Sequence, residues 1–216
     1  MKKTSVLRIA LLGVSGALAM SVAPLLALAT PSAQPKHNQD ASPAIKKVQD
    51  FGALLDEAGL VLERGDDYDD AAVPQTPLYG FEKALKHRQL PLKIYFAVRP
   101  LARMKIEYED PHSNAPNPDH IFPMVFQSLI GRLAKSGSSP SRVYRSEKSK
   151  QLFNADWAAA AMFDTEPDLN SGFSSALLIA IHKSKLADAY YLFVFDDPKP
   201  LKPAIDAAIG ALRFSK

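Results

Sequence analysis

Two apolar runs in the C-terminal part constrain the fold of this chain more than any other feature. Phe173 to Ile181 and Ala187 to Phe195 are apolar at most positions, and His182-Lys183-Ser184-Lys185-Leu186 joins them. Runs of this length, bounded by a short polar connection, read as strands covered on both faces. Strands this close in sequence pair as an antiparallel hairpin. A hairpin with two apolar faces belongs in the middle of a sheet, so other elements must cover each side.

Further strands are predicted upstream. Trp157 to Phe163 is one, and Leu78 to Arg99 holds two, with the turn at Gln89-Leu90-Pro91. In the second of these, Leu92, Ile94, Phe96 and Val98 alternate with Lys93, Tyr95, Ala97 and Arg99. That period of two predicts a half-buried strand. Leu60-Val61-Leu62-Glu63 is a short strand that runs into an acidic loop, Gly65-Asp66-Asp67-Tyr68-Asp69-Asp70.

Three helices are predicted. Ala44, Val48, Phe51, Leu55 and Ala58 form one stripe over residues 43 to 58, with Ser42-Pro43 as the start signal and Gly59 as the stop. A second helix spans residues 120 to 135, with Phe122, Phe126, Leu129, Ile130 and Leu133 on its buried face and Pro123 tolerated in the first turn. Pro200 and Pro203 open a third, striped by Ile205, Ala208, Ile209 and Leu212. Residues 107 to 120 read as loop, and the polar stretch Ser136 to Ser149 as a mobile segment. The expected class is α+β, a largely antiparallel sheet with helices packed on it.

Phe153-Asn154-Ala155-Asp156-Trp157 before a strand, and His182-Lys183 ahead of Asp188-Ala189-Tyr190, resemble small secreted proteobacterial proteins of unknown function. The order of elements over residues 60 to 214, ending in a strand pair, a helix and Leu212-Arg213-Phe214, is similar to the PsbP/Mog1-like α/β/α sandwich. The resemblance implies an accessory or binding protein and carries over no active-site residue.

The other end of the chain points to a compartment. Lys2, Lys3 and Arg8 precede the apolar stretch Ile9 to Leu28, and Ala27-Leu28-Ala29 places small residues before Thr30. This is the pattern of a cleaved secretory signal peptide of bacterial type, over residues 1–29. The competing reading, an uncleaved anchor, is opposed by Gly13, Gly16 and Pro24 within the stretch. Periplasm or secretion follows as the expectation. Residues 30–42 read as a flexible linker, and 43–216 as a single domain.

Removing the leader also removes the basicity. The chain has 26 Lys+Arg against 23 Asp+Glu; the leader holds three of the bases and no acid, leaving 23 of each sign. A nucleic-acid partner is therefore not expected. After cleavage no transmembrane segment is expected either. The chain has no cysteine, which excludes disulfides and thiol chemistry. The mature chain has no G-x-S-x-G or S-x-x-K and no Gly-rich phosphate loop. No cofactor is predicted, and catalysis is not favoured.

Three groups remain as candidate sites. Asn154, Asp156, Trp157 and His182 could line a ligand pocket; the other reading has Trp157 in the core, Asn154 and Asp156 in turn hydrogen bonds and His182 at a hairpin tip. Glu107, Glu109, Asp110, His112, Asp119 and His120 mix carboxylates and imidazoles as a divalent metal site would, without any metal-motif spacing. A hydrolase would draw on His112, His120 or His182. Arg132, Lys135, Arg142, Arg145, Lys148 and Lys150 form a basic stretch suited to anionic lipid or an acidic partner, or to a solvated face. Asp66, Asp67, Asp69 and Asp70 lack the glycine and glutamate positions of a calcium loop.

Overall fold

The two apolar runs pair with each other. β7 (Ser175–Lys183) lies antiparallel to β8 (Ala187–Phe195), with Ser175 opposite Phe195 and Lys183 opposite Ala187. The computed structural model describes residues 50–103 and 117–215, all within one compact unit, Ile45–Lys216. The remaining elements, in chain order, are α1 (Phe51–Ala58), β1 (Leu60–Leu62), β2 (Tyr68–Ala71), β3 (Lys83–His87), β4 (Lys93–Pro100), α2 (Pro118–Leu133), β5 (Ser141–Val143), α3 (Ser146–Phe153), β6 (Trp157–Asp164), α4 (Pro198–Ala208) and β9 (Leu212–Phe214).

Seven strands form one sheet in the order β2-β3-β4-β8-β7-β6-β5, and β1 pairs with β9 in a separate two-stranded ribbon. Every one of these pairings is antiparallel. All nine residues of β8, the centre of the sheet, are buried.

Pleating divides each central strand between two cores. Tyr191 and Phe193 of β8 join Ile94, Phe96 and Val98 of β4 on one face, under Leu54 and Ala58 of α1, Phe153 of α3 and Leu201 and Ile205 of α4. Tyr190, Leu192 and Val194 face the opposite way with Tyr95 and Ala97, under Phe126, Leu129, Ile130 and Leu133 of α2. β4 is thus covered on both faces rather than half-buried. Tyr95 is only 2% exposed because α2 and the loop residues Tyr79 and Phe81 close over its side of the sheet.

Several local expectations change. Asp69 and Asp70 stand in β2, not in an acidic loop, and pair with Arg88, Arg64 and Lys83. The stretch Ser136 to Ser149 is not a loose segment: it supplies β5, paired to β6, and the first half of α3. α2 is capped by Asn117, whose side chain accepts from Asp119 N–H, so Pro123 lies inside the helix, beyond its first turn. α4 begins at Pro198 under an Asp197 cap and stops at Ala208, and Leu212 belongs to β9 rather than to the helical stripe. Gly59 ends α1 as expected, at φ +64, a conformation that costs a side-chain-bearing residue about 1 kcal/mol. The helix start at Ser42-Pro43, with Ala44 and Val48, lies outside the described residues. Among the described residues no helix is long and apolar enough to cross a membrane.

Candidate functional site

The β7–β8 hairpin carries a buried polar network around His182. His182 stands opposite Asp188 on the neighbouring strand and opposite Trp157 on β6. Its Nδ1 lies 2.7 Å from Asp188 Oδ1. A carboxylate beside this ring nitrogen is the natural acceptor for an Nδ1–H. Nε2 points toward Asp119 Oδ1 at 3.5 Å. Phe122 stacks on the imidazole at 3.8 Å between centroids, and Trp157 packs against Phe122 and Phe126. His182 is 3% exposed. It is buried within β7, not at the tip of the hairpin, because the neighbouring carboxylates satisfy its polar edge and the Phe122 ring covers one face.

Asp119, in the first turn of α2, holds the turn of the same hairpin. Its carboxylate accepts from Ser184 Oγ at 2.6 Å and from Lys185 N–H at 2.9 Å. Lys185 has φ +63, a strained region for lysine. Asp156 accepts from Ser184 N–H at 3.0 Å. Burial pushes the Asp119 carboxyl upward, but the Ser184 and Lys185 hydrogen bonds and the nearby His182 and His120 rings outweigh it. The group is held below its ordinary value. Beyond Asp188, Tyr190 OH donates weakly to Asp188 Oδ2 at 3.4 Å, and Tyr79 meets Tyr190 edge-on. Burial pushes Tyr79 up to about 12 and Tyr190 higher still.

Of the four predicted pocket residues, Asp156, Trp157 and His182 come together here. Asn154 does not: it ends α3 in a left-handed conformation and donates to Ser215 O at 2.7 Å, beside β9. The network is also not a nucleophile–base arrangement, since Ser184 Oγ donates to a carboxylate and not to the imidazole. Of the metal candidates, Glu107, Glu109, Asp110 and His112 lie outside the described residues. Asp119 is engaged as above, and His120 is exposed. Among the described residues no group of three or more such side chains is placed to hold a metal.

The six basic candidates lie along one stretch. Arg132 is in the last turn of α2, Lys135 follows it, Arg142 is on β5, and Arg145, Lys148 and Lys150 are at or within α3. All six are exposed. Elsewhere Arg64, Lys83, Arg88 and Arg99 each meet a carboxylate within 3.2 Å, and Arg103, Lys202 and Arg213 are also ion-paired.

Sequence reasoning missed a cleft on the α1/α4 face, of about 400 Å³. Leu85, Ile94 and Phe96 of the sheet line it, with Leu152 of α3 and Ala208 at the end of α4. Glu63, Arg64, Asp67 and Arg213 line it as well, and Arg213 is bonded to Glu63. Tyr68 of β2 also lines the cleft, and its buried hydroxyl has no hydrogen-bond partner among the described residues. No protein-family model, no curated protein and no solved structure matches this chain.

Proposed function

We propose that this protein is exported, periplasmic or secreted, and acts as an accessory protein that binds a ligand or partner without catalysing a reaction. In this reading residues 1–29 are a signal peptide removed near Ala29, residues 30–42 are a linker, and the remainder is the binding domain. The leader pattern supports export. The antiparallel sheet with helices on both faces supports, at the level of architecture, the likeness to the PsbP/Mog1-like sandwich.

One observation carries the preference for binding over hydrolysis. The chemistry-bearing side chains that the fold brings together are engaged by one another. Asp188 takes the Nδ1 side of His182, Asp119 takes Ser184 Oγ, and Phe122 covers the imidazole. A general base must reach a substrate proton, and this one is sealed beneath a helix. A cleft with an apolar lining and a few polar groups, the usual form of a ligand site, stands elsewhere on the domain.

The test is a thermal-unfolding series with EDTA, Ca²⁺, Zn²⁺ and Mg²⁺. An ion at 100 times its dissociation constant would add about 2.7 kcal/mol. The expected result is no shift with any ion. A rise of several degrees with one of them would favour a metal-dependent hydrolase instead.

A second reading has its own observation. The six cations from Arg132 to Lys150 are exposed, and none has an ion pair among the described residues. Contact with an anionic lipid surface would use them. It predicts binding to anionic vesicles at low salt that fades as salt rises; absence of binding at low salt removes it.

A further inference from the structure

We propose that the cleft between β2, β4 and the ends of α3 and α4 binds a small uncharged molecule with an apolar aryl or branched-alkyl body and one hydrogen-bond acceptor, which Tyr68 recognises. This rests on the binding reading above and gives it a site and a ligand chemistry.

The lining sets the body of the ligand. Leu85, Ile94 and Phe96 present hydrocarbon from the sheet, and Leu152 and Ala208 present it from the helices. About 400 Å³ falls within the range of small-molecule pockets, roughly 300–1,000 Å³. The charged side chains argue against an ionic ligand. Two acids, Glu63 and Asp67, stand with two bases, Arg64 and Arg213, and the bases already have partners. Arg213 is bonded to Glu63, and Arg64 to Asp70 at 3.2 Å. An anionic ligand would have to displace one of these pairs and would meet Glu63 and Asp67, while a cationic one would meet Arg64 and Arg213.

Tyr68 sets the polar requirement. It is only 7% exposed, its ring meets the His87 ring edge-on at 5.0 Å, and its hydroxyl makes no hydrogen bond among the described residues. Burial, with the Asp67 carboxylate nearby, raises the phenol's pKa, so the group keeps its proton and can donate. An unpaired buried donor destabilises a fold, and phenylalanine would fill the same space without that cost. A ligand carbonyl or ether oxygen supplies the missing partner. Ser149 Oγ, the other buried unpaired hydroxyl among the described residues, is not part of the cleft lining.

The test uses acetophenone and cumene, which match in size and differ in the acceptor, titrated into the purified protein and into Tyr68→Phe, followed by backbone amide NMR. The expected result is perturbation at Gly65, Gly210 and Ala211 around the cleft. Wild type should bind acetophenone up to about tenfold more tightly than cumene, as one net hydrogen bond allows. Tyr68→Phe should bind both equally, keep its cumene affinity, and melt at or above the wild-type temperature. Equal affinities in wild type, a preference that survives in Tyr68→Phe, or perturbations that map away from the cleft would overturn the site. So would a failure of both probes to bind. Those outcomes leave the accessory-protein reading to its own ion series, so the two can fail separately.

Discussion

His182 and Tyr68 are both aromatic side chains with polar atoms, both buried, and both on strands of the same sheet, yet the protein treats them in opposite ways. His182 has a carboxylate toward each ring nitrogen and a phenyl ring on its face. Tyr68 has a hydroxyl with no partner among the described residues. The first arrangement resists change, since every polar atom removed leaves another unsatisfied. The second is incomplete without a visitor. The contrast separates a site that holds the fold from a site suited to a ligand.

The contrast breaks most sharply at Asp188. Asp188→Ala leaves His182 Nδ1 and Tyr190 OH without their acceptor in the core, and a loss of about 3–5 kcal/mol is expected for stripping a buried polar pair of one member. Urea unfolding measures it; a loss below about 1 kcal/mol would mean that the network contributes little. Next comes acid. Asp119 is held below its ordinary value, so its contribution is fully present above the unfolded carboxylate pKa and disappears as pH falls through the lowered folded value. Melting temperatures of wild type and Asp119→Asn should therefore differ at neutral pH and converge below the carboxylate range; parallel curves would remove the assignment. A smaller effect is expected at the turn. Lys185→Gly relieves the positive φ and should stabilise by about 0.5–1 kcal/mol, read as a rise in melting temperature. The smallest is at Tyr68, where phenylalanine should be neutral or slightly stabilising in the absence of ligand.

What the sequence made legible follows from signal strength. β6, β7 and β8 are long apolar runs, and α2 repeats its buried residues at helical spacing, so each announces itself. α3 does not, because Ser-Glu-Lys-Ser-Lys-Gln precedes its only two apolar residues, Leu152 and Phe153. β9 was hidden by coincidence: Leu212 follows Ala208 at four residues and so extends the helical stripe on paper, although the helix ends at Ala208. His182 stood out as a candidate, but its partner Asp119 belongs to a different element far along the chain, and no local spacing could pair them. Tyr68 was obscured by its neighbours. Four aspartates around one tyrosine suggest a solvated loop, whereas strand pleating turns that ring to the core face and its neighbour Asp69 to the opposite face.

The ribbon of β1 and β9 has a mechanical consequence. Leu60 faces Phe214, and Ser215 N–H donates to Gly59 O at 2.8 Å, so the chain before β1 and the chain after β9 emerge side by side. A pulling force applied between residues 59 and 215 would load these pairs one after another, as a zipper opens, instead of shearing them together. The seven-stranded sheet would feel no tension until the zipper had run out. Under that load the ribbon is the domain's weak link, and its failure would reach the Arg213–Glu63 pair at the cleft before it reached the hairpin around His182.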